Sequence, residues 1–361
     1  MKIMMVLLAM FLMAGTALAG DGFKVYGKVH MSLENLNTGE TGYMAVSSNG
    51  SRFGLKGTQE MNESFNFIWQ FEQKVNLAQK GSETLANRNS FVGLKGTWGS
   101  ALIGIHDTPF KTMGSKITFF RDEIGDYRQS TMGWDRRLQD IVMYVSPELD
   151  GFNARLMVQV DQTDGVADEA ETIFSGSVRY KKDNFYLGAA YETLSKGLAS
   201  DTADDGTAVY GNSAKGLRLG AKYLFEKVGF TALYQSLSDY NQSDFAVDGS
   251  GNVTTLNDRK SATFGGEANW KFAPKFAAKV GYYAADPNTD ADNDEYNLLA
   301  FGVDHKYAKD LWFYLQYAIM MNGDAASASL GSKTNGHGKI VNAAGPGESP
   351  SGISLGFAKK F

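Results

Sequence analysis

The stretch from Phe23 to Glu34 reads FKVYGKVHMSLE and alternates between two kinds of side chain. Its odd-numbered positions are apolar or glycine, and its even-numbered positions are polar, charged or tyrosine. Successive side chains of a β-strand point to opposite faces, so the alternation predicts a strand with one apolar and one polar face. The same pattern recurs at 65–72, 152–161, 174–180, 217–225, 262–272 and 353–361.

The rest of the chain divides into similar segments, sixteen in all, separated by connections of alternating length. The segments begin near residues 23, 52, 65, 88, 99, 138, 152, 172, 185, 216, 228, 261, 275, 296, 311 and 352. Most are about 9–11 residues long, the length that a tilted strand needs to cross a membrane. Seven connections are short, and eight are long: 35–51, 76–87, 106–137, 161–171, 194–215, 236–260, 285–295 and 321–351. Short turns on one side and long loops on the other are typical of outer-membrane β-barrels.

The apolar face of such a sheet must be buried against something. A sixteen-stranded barrel encloses an aqueous lumen that side chains cannot fill, so its apolar face is predicted to contact lipid. The predicted fold is therefore all-β, a transmembrane antiparallel β-barrel of 16 strands. A stack of β-sandwich domains shares the alternation but not the rhythm of short and long connections. The stretches 138–146 and 311–320 are apolar on both faces, so the pattern does not assign their outward side.

Residues 1–19 predict a secretory signal peptide. Lys2 supplies the positive charge, residues 3–13 form an apolar run, and Ala17-Leu18-Ala19 is a small-x-small cleavage site. The run is too short for a membrane-anchor helix. Cleavage after Ala19 would leave residues 20–361 as a single exported barrel domain.

Composition excludes several classes of function. The 361 residues include 35 Lys and Arg, 40 Asp and Glu and no Cys, with a formal net charge of −5. That balance does not favour a nucleic-acid partner, and the lack of Cys excludes disulfides and thiolate metal sites. The four histidines form no metal motif and have no nucleophile in a known motif context, so we expect no metal, no cofactor and no enzymatic activity. They are His30, His106, His305 and His337.

Several motifs resemble the Gram-negative general porin family, most closely porins of the neisserial and β-proteobacterial type. They are SRFGLKG at 51–57, SFVGLKG at 90–96 and GIHDTPF at 104–110. The final GFAKKF, 356–361, is similar to the closing strand of that family, whose terminal Phe361 would be the assembly signal. The resemblance covers the chain after the predicted signal peptide.

The resemblance implies a homotrimer in the outer membrane that lets small hydrophilic solutes and ions diffuse passively through water-filled pores. Its other expected partners are outer-membrane lipid and lipopolysaccharide, and its trimer interface would lie near 23–33 and 353–361 with loop 76–87. The third long loop, 106–137, would fold inward and narrow the pore. Porins of this family set acidic loop residues against a basic wall. The basic wall candidates are Lys28, Arg52, Lys56, Lys74, Arg88 and His106, and the acidic loop candidates are Asp107, Asp122, Glu123 and Asp126.

One position departs from the family pattern. Close relatives usually carry Arg where this chain has His106. Because histidine is largely neutral at pH 7, one fixed positive charge is missing, and the sequence leaves the sign of ion selectivity open. A substrate-selective channel, a surface adhesin and a structural barrel without an open lumen remain as alternatives. The predicted inward aromatics, Tyr26, Tyr186 and Tyr283, are scattered and form no continuous track.

Overall fold

The computed structural model describes most of the chain after residue 22. The described ranges are 23–80, 85–130, 134–160, 173–194, 201–202, 208–209, 214–238, 245–247, 253–255, 260–288, 291–331 and 336–361. The predicted signal peptide, residues 1–19, lies outside the described residues.

Antiparallel strands dominate the described structure. They are β1 (Lys24–Asn37), β2 (Gly42–Ser48), β3 (Arg52–Asn62), β4 (Phe65–Lys74), β5 (Ser90–Gly96), β6 (Gly99–Asp107), β7 (Arg137–Val145), β8 (Phe152–Gln159), β9 (Ile173–Lys182), β10 (Phe185–Leu194), β11 (Asp201–Thr202), β12 (Ala208–Val209), β13 (Lys215–Leu224), β14 (Val228–Ser238), β15 (Phe245–Val247), β16 (Val253–Thr255), β17 (Lys260–Ala273), β18 (Phe276–Asp286), β19 (Tyr296–Ala308), β20 (Leu311–Asn322) and β21 (Ser351–Lys360). One short helix, α1 (Pro109–Gly114), and a 3-10 turn (Tyr127–Ser130) lie between β6 and β7. Among the described residues, no helical segment has the length and apolar character needed to span a membrane.

The first and last strands close the sheet into a barrel. β1 pairs with β21 in antiparallel register, from Lys28 opposite Lys360 to Asn37 opposite Ser351. β2 pairs with one end of β1 and β3 with the other, so these two strands share one position in the wall. The 17 strands of the sheet therefore occupy sixteen positions, which confirms the predicted barrel. The pairs β11–β12 and β15–β16 form separate two-stranded sheets.

The predicted long loop over 35–51 is wrong. The chain turns within 38–41 and returns as β2. Met44 and Val46 are exposed on the outer face, and they pair with Asn35 and Leu33 of β1. The shared strand position breaks only at 49–51, where Gly50 has a positive φ of 65°, a conformation that glycine adopts without a steric penalty.

The two stretches that are apolar on both faces acquire a clear orientation. In β7, Val142 and Tyr144 are exposed on the outer face, whereas Ile141 and Met143 are buried inside. In β20, alternate residues from Phe313 to Tyr317 point outward. The inward apolar side chains of β7 join a buried cluster with residues of the connection that follows β6. Both faces are apolar because lipid covers one and folded chain covers the other.

Aromatic rings contact one another around the barrel at the end that carries the short turns. One series passes from strand to strand with ring-centroid distances from 4.5 to 6.3 Å: Phe152, Tyr180, Phe185, Tyr223 and Phe225. A second series joins Trp270, Phe272, Phe276, His305 and Phe313. Such rings favour the boundary between lipid and water, so they mark one edge of the apolar band.

Candidate functional site: the barrel interior

The described residues of the third loop, 108–130 and 134–136, fold into the barrel, as predicted. Its entry is set by α1, where Thr108 is the N-cap: its side-chain oxygen accepts a hydrogen bond from the Lys111 backbone N–H, and Pro109 occupies the first turn. Further along, six large side chains of the loop are almost fully buried against the inner wall: Phe110, Ile117, Phe120, Ile124, Tyr127 and Trp134. An apolar loop segment of this kind is stable only where the barrel covers it, so the interior position follows from the sequence.

One buried ion pair joins the end of the loop to β13. Arg218 Nη1 lies 2.7 Å from Asp135 Oδ1, and neither side chain is exposed to solvent. The guanidinium also donates to Gln235 Oε1 from Nε at 2.8 Å and lies over the Phe110 ring, 4.2 Å from its centroid. A buried charge needs both a counter-charge and hydrogen bonds, and Arg218 has both.

A second ion pair joins the middle of the loop to β18. Lys279 Nζ lies 2.6 Å from Glu123 Oε2 and 2.8 Å from Asp304 Oδ1. Gln316 of β20 donates a further short hydrogen bond to the same Glu123 oxygen. Burial raises the pKa of Glu123 to about 7, although Lys279 acts in the opposite direction. Two carboxylates therefore share one buried ammonium.

The third ion pair joins the loop to β1. Asp122 Oδ2 accepts from Lys28 Nζ at 2.8 Å, and Asp122 Oδ1 lies 3.0 Å from Arg128 Nη2. Arg128 also binds Asp126 at 2.5 Å. Burial alone would raise the pKa of Asp122, but the charges of Lys28 and Arg128 outweigh it and hold this pKa well below its ordinary range. The loop is therefore attached to the wall by buried ion pairs in which opposite charges neutralise one another.

Glu267 of β17 provides a further attachment without a cation. Its carboxylate accepts from Thr118 Oγ1 at 2.7 Å, from the Phe119 backbone N–H in a short hydrogen bond and from the Tyr283 hydroxyl at 3.1 Å. The Tyr283 ring stacks on Tyr127 with centroids 5.0 Å apart. The loop is thus fixed to the wall by hydrogen bonds and packing as well as by charge.

A basic group lies on β3 and on the connection between β4 and β5. Arg88 Nε and Arg52 Nε lie 2.5 and 3.5 Å from Glu72, which also accepts from the Tyr26 hydroxyl at 3.0 Å. Lys56 lies over the Tyr26 ring, 5.1 Å from its centroid, and is exposed. The predicted wall residues Arg52, Lys56 and Arg88 are therefore neighbours. Lys74 pairs with Arg52 across β3 and β4 and is exposed.

Comparison with known proteins identifies the family. A sequence model of the Gram-negative porin family matches residues 5–325. The chain belongs to this family. As a member of it, the protein is located in the outer membrane, and family and fold together point to a channel rather than an enzyme.

Relatives of this porin include neisserial and Vibrio proteins. Major outer membrane protein P.IB of Neisseria gonorrhoeae is 28% identical over 194 residues, 52% of this chain and 53% of the relative. Major outer membrane protein P.IB of Neisseria sicca is 26% identical over 330 residues, 84% of this chain and 90% of the relative. The chain thus spans about half the length of the gonococcal relative and nearly all of the other. The Vibrio furnissii chitoporin is 29% identical over 212 residues, 51% of this chain and 56% of the relative.

Solved structures of outer-membrane proteins share the fold. An anion-selective porin from Comamonas acidovorans matches with a TM-score of 0.73 and 21% identity over 94% of this chain and 99% of the other. The outer membrane protein OmpT of Vibrio cholerae, in its trimer form, matches with a TM-score of 0.67 and 16% identity over the same shares.

The loop acids of this porin do not face a basic wall across an open gap. Asp122 and Glu123 are in direct contact with Lys28 and Lys279. Lys28 lies opposite Arg52 in the register of β1 and β3, and Arg52 and Arg88 are bound to Glu72. Asp126 pairs with Arg128 inside the loop. Burial of an unpaired carboxylate costs free energy of desolvation, so each acid forms an ion pair with a nearby cation.

The remaining predicted residues lie at the root of the loop. Asp107 binds Arg137 at 2.9 Å and Lys111 at 3.2 Å. His106 packs beside Phe91, with ring centroids 5.6 Å apart, and its Nδ1 lies 2.7 Å from the Asp107 carbonyl oxygen. These two residues therefore hold the start of the loop and do not meet the other loop acids.

The sequence did not reveal the role of a second loop, the connection between β20 and β21. His337 of this connection is buried, and its Nε2 lies 2.8 Å from Glu34 Oε1 on the inner face of β1. Ser47 and Ser354 donate to the same carboxylate at 2.5 and 2.9 Å. The backbone N–H of Gly338 donates to Asn49 Oδ1 at 2.8 Å. Within the described residues, two loops are therefore attached inside this porin. Within the described ranges, no group of three or more histidine or carboxylate side chains is placed to hold a metal ion.

Proposed function

We propose that this protein is a general diffusion porin that, after cleavage of residues 1–19, lets small hydrophilic solutes and ions cross the outer membrane passively. The observation that carries the proposal is charge exposed inside a closed barrel. Lys56 and Lys74 occupy inward positions of β3 and β4, beside the Arg52–Glu72 pair, and both are exposed. Exposed ammonium groups inside a barrel require water there, and a sixteen-stranded barrel is wide enough to hold it.

In this proposal the narrowest part of the pore lies between the third loop and the wall that carries Arg52, Lys56 and Arg88. Lys28, His106 and the acids Asp107, Asp122, Glu123 and Asp126 position the loop. The pore then prefers anions. Arg121 on the loop is exposed, as are Lys56 and Lys74, whereas the acids Asp122 and Glu123 are buried in ion pairs. A pore lined by exposed cations favours anions.

The proposed assembly is a homotrimer surrounded by outer-membrane lipid and lipopolysaccharide. A shallow apolar groove crosses β1, β2, β20 and β21 on the outer face, and Leu33, Val46 and Leu355 in it are each about half exposed. This groove supports an interface near the ends of the chain. Phe361 lies beside β1, where its carbonyl oxygen accepts from the Gly27 N–H at 2.9 Å, and we assign it the assembly signal.

Liposome swelling with the purified trimer tests the diffusion proposal. Neutral sugars of increasing size should enter at rates that fall smoothly with size and rise linearly with the concentration gradient. Swelling no faster than that of protein-free liposomes would favour an adhesin or a closed structural barrel. Saturable entry of one sugar alone would favour a substrate-selective channel.

A further inference from the structure

A recess lies under the third loop, on the opposite side of the loop's root from the predicted basic wall. Lys116 of the loop, Asn153 and Arg155 of β8, and Ser177 and Arg179 of β9 line it. The strand residues face inward, since Leu156 and Val178, their neighbours in sequence, are exposed on the outer face. The recess therefore opens toward the interior of the barrel.

The strand register brings the two arginines together. Arg155 pairs directly with Ser177, and Asn153 pairs directly with Arg179. Arg155 and Arg179 are thus diagonal neighbours on one face of the sheet, at a backbone separation of about 7–8 Å. Two guanidinium groups at this separation can both reach one small ion placed between them.

Positive charge in the recess is incompletely neutralised. Arg179 binds Glu148, with N–O distances of 3.1 and 2.6 Å, but Glu148 belongs to the turn between β7 and β8 and its side chain is half exposed. Among the described residues, Arg155 and Lys116 have no carboxylate partner, and no carboxylate lines the recess. Burial and the nearby cations Arg121 and Arg155 lower the pKa of Lys116, which reflects this excess of positive charge.

We propose that this recess binds a small oxyanion with two negative charges, of which inorganic phosphate is the simplest example. Arg155 presents a planar fork of N–H donors that suits two oxygens of such an anion, and Lys116 supplies a point charge from the loop. The Ser177 hydroxyl stands directly across from Arg155 and can donate to a third oxygen. This inference rests on the proposed function, because the anion reaches the recess through the pore.

Anion binding in the recess would be weak, which suits an ion that must pass through the pore. Water reaches the recess, and Lys116 is exposed, so the charges act in a screened environment. A weak site inside a pore raises the local concentration of its ion and still releases it. Divalent oxyanions would then compete with chloride for the lumen.

Single-channel recording in a planar bilayer tests the site. In potassium chloride, added phosphate should reduce the chloride current saturably. Arg155→Gln should raise the half-blocking phosphate concentration about tenfold, the loss expected for one charge-assisted bidentate contact. Lys222→Gln is the control: Lys222 of β13 lies over the Phe119 ring of the loop, its side chain does not line the recess although its strand partner Tyr186 does, and its loss removes the same charge from the interior. The control should leave the half-blocking concentration within about twofold.

An effect of phosphate that rises linearly without saturating would overturn the site. Equal shifts of the half-blocking concentration in Arg155→Gln and Lys222→Gln would also overturn it, because they would indicate only the general electrostatic field of the pore. Channels that conduct chloride but ignore phosphate would overturn the site and leave the porin proposal standing. Absence of channels would overturn the porin proposal itself. Should Arg155→Gln fail to assemble, phosphorus NMR on the wild-type trimer gives an independent test. The phosphate line should broaden and sharpen again when sulfate is added, and an unbroadened line would overturn the site.

Discussion

A charged contact between two fully buried side chains holds the end of the third loop. Arg218 and Asp135 are both inaccessible to solvent and 2.7 Å apart. Such a pair contributes little to the stability of the fold compared with two apolar side chains in its place. Removal of one partner alone, however, leaves the other charge buried and uncompensated. The pair therefore controls whether the loop stays in place.

Replacement of Arg218 by Met should destabilise the protein by about 3 kcal/mol, because Asp135 would be left unpaired. The double variant Arg218→Met with Asp135→Asn should recover most of that loss. Lys182→Gln is the control, since the Lys182–Asp150 pair is exposed and should contribute less than about 1 kcal/mol. Denaturant titration of the detergent-solubilised protein measures all three variants. If Arg218→Met lowered the free energy of unfolding no more than Lys182→Gln does, the proposed role of the buried pair would be contradicted.

At the same scale, strand parity predicts which side chains point inward but not which charges meet. The alternation around Arg218 correctly places it on the polar face. Its partner Asp135 lies 83 residues away, at the far end of a loop with no repeating pattern. The loop acids Asp122 and Glu123 were predicted as pore-lining for the same reason: a loop sequence does not tell which side of it faces the wall.

At the scale of elements, the connection between β20 and β21 depends on a titratable contact. Burial lowers the pKa of His337, but the Glu34 carboxylate at 2.8 Å outweighs burial, and the pKa lies above its ordinary value of 6.5. Asp122 approaches the neighbouring Gly336, and Asp126 also raises the His337 pKa. The attached loop therefore binds the proton more tightly than the detached loop does. Its attachment is complete below the ordinary pKa and weakens as the pH rises through the raised one.

A spin label tests this pH dependence, because the chain has no cysteine of its own. A label on Ala344→Cys, an exposed position of the same connection, should be less mobile at about pH 5 than at about pH 9. His337→Gln should make the label mobile at both pH values. His305→Gln, which alters a histidine stacked on Phe276 at the other end of the barrel, should preserve the difference. Label mobility that does not change with pH would contradict the proposed role of His337.

The elements themselves were largely predictable, since period-two alternation is a local property of the chain. In the barrel wall the exception is β2, which the sequence analysis included in a loop. Its inward residues, Ala45 and Ser47, are small, and it ends next to the break at Gly50, so its alternation is short and weak. Pairing with β1 forms this strand, and pairing partners are not visible in a single sequence.

At the scale of the whole molecule, the charges are sorted by position. The third loop turns its acids toward the wall, where Lys28 and Lys279 neutralise them. It leaves cations, Arg121 and Lys116, exposed to the interior. The chain as a whole carries a net charge of −5, so the positive interior cannot be deduced from composition. Among the described residues it follows from the fold, which pairs Asp122 and Glu123 with cations and leaves Lys116 and Arg155 with no carboxylate partner.

The reversal potential of the purified trimer in a planar bilayer, under a gradient of potassium chloride, measures the sign of the charge that lines the pore. We expect ohmic steps that arrive in threes and a reversal potential with the sign of chloride permeation. The Glu123→Gln variant should leave that sign unchanged, because Glu123 is already paired with Lys279. A potential with the sign of potassium permeation would mean that loop acids face the pore and would contradict the described charge arrangement. The absence of current from correctly folded protein would contradict the open pore itself.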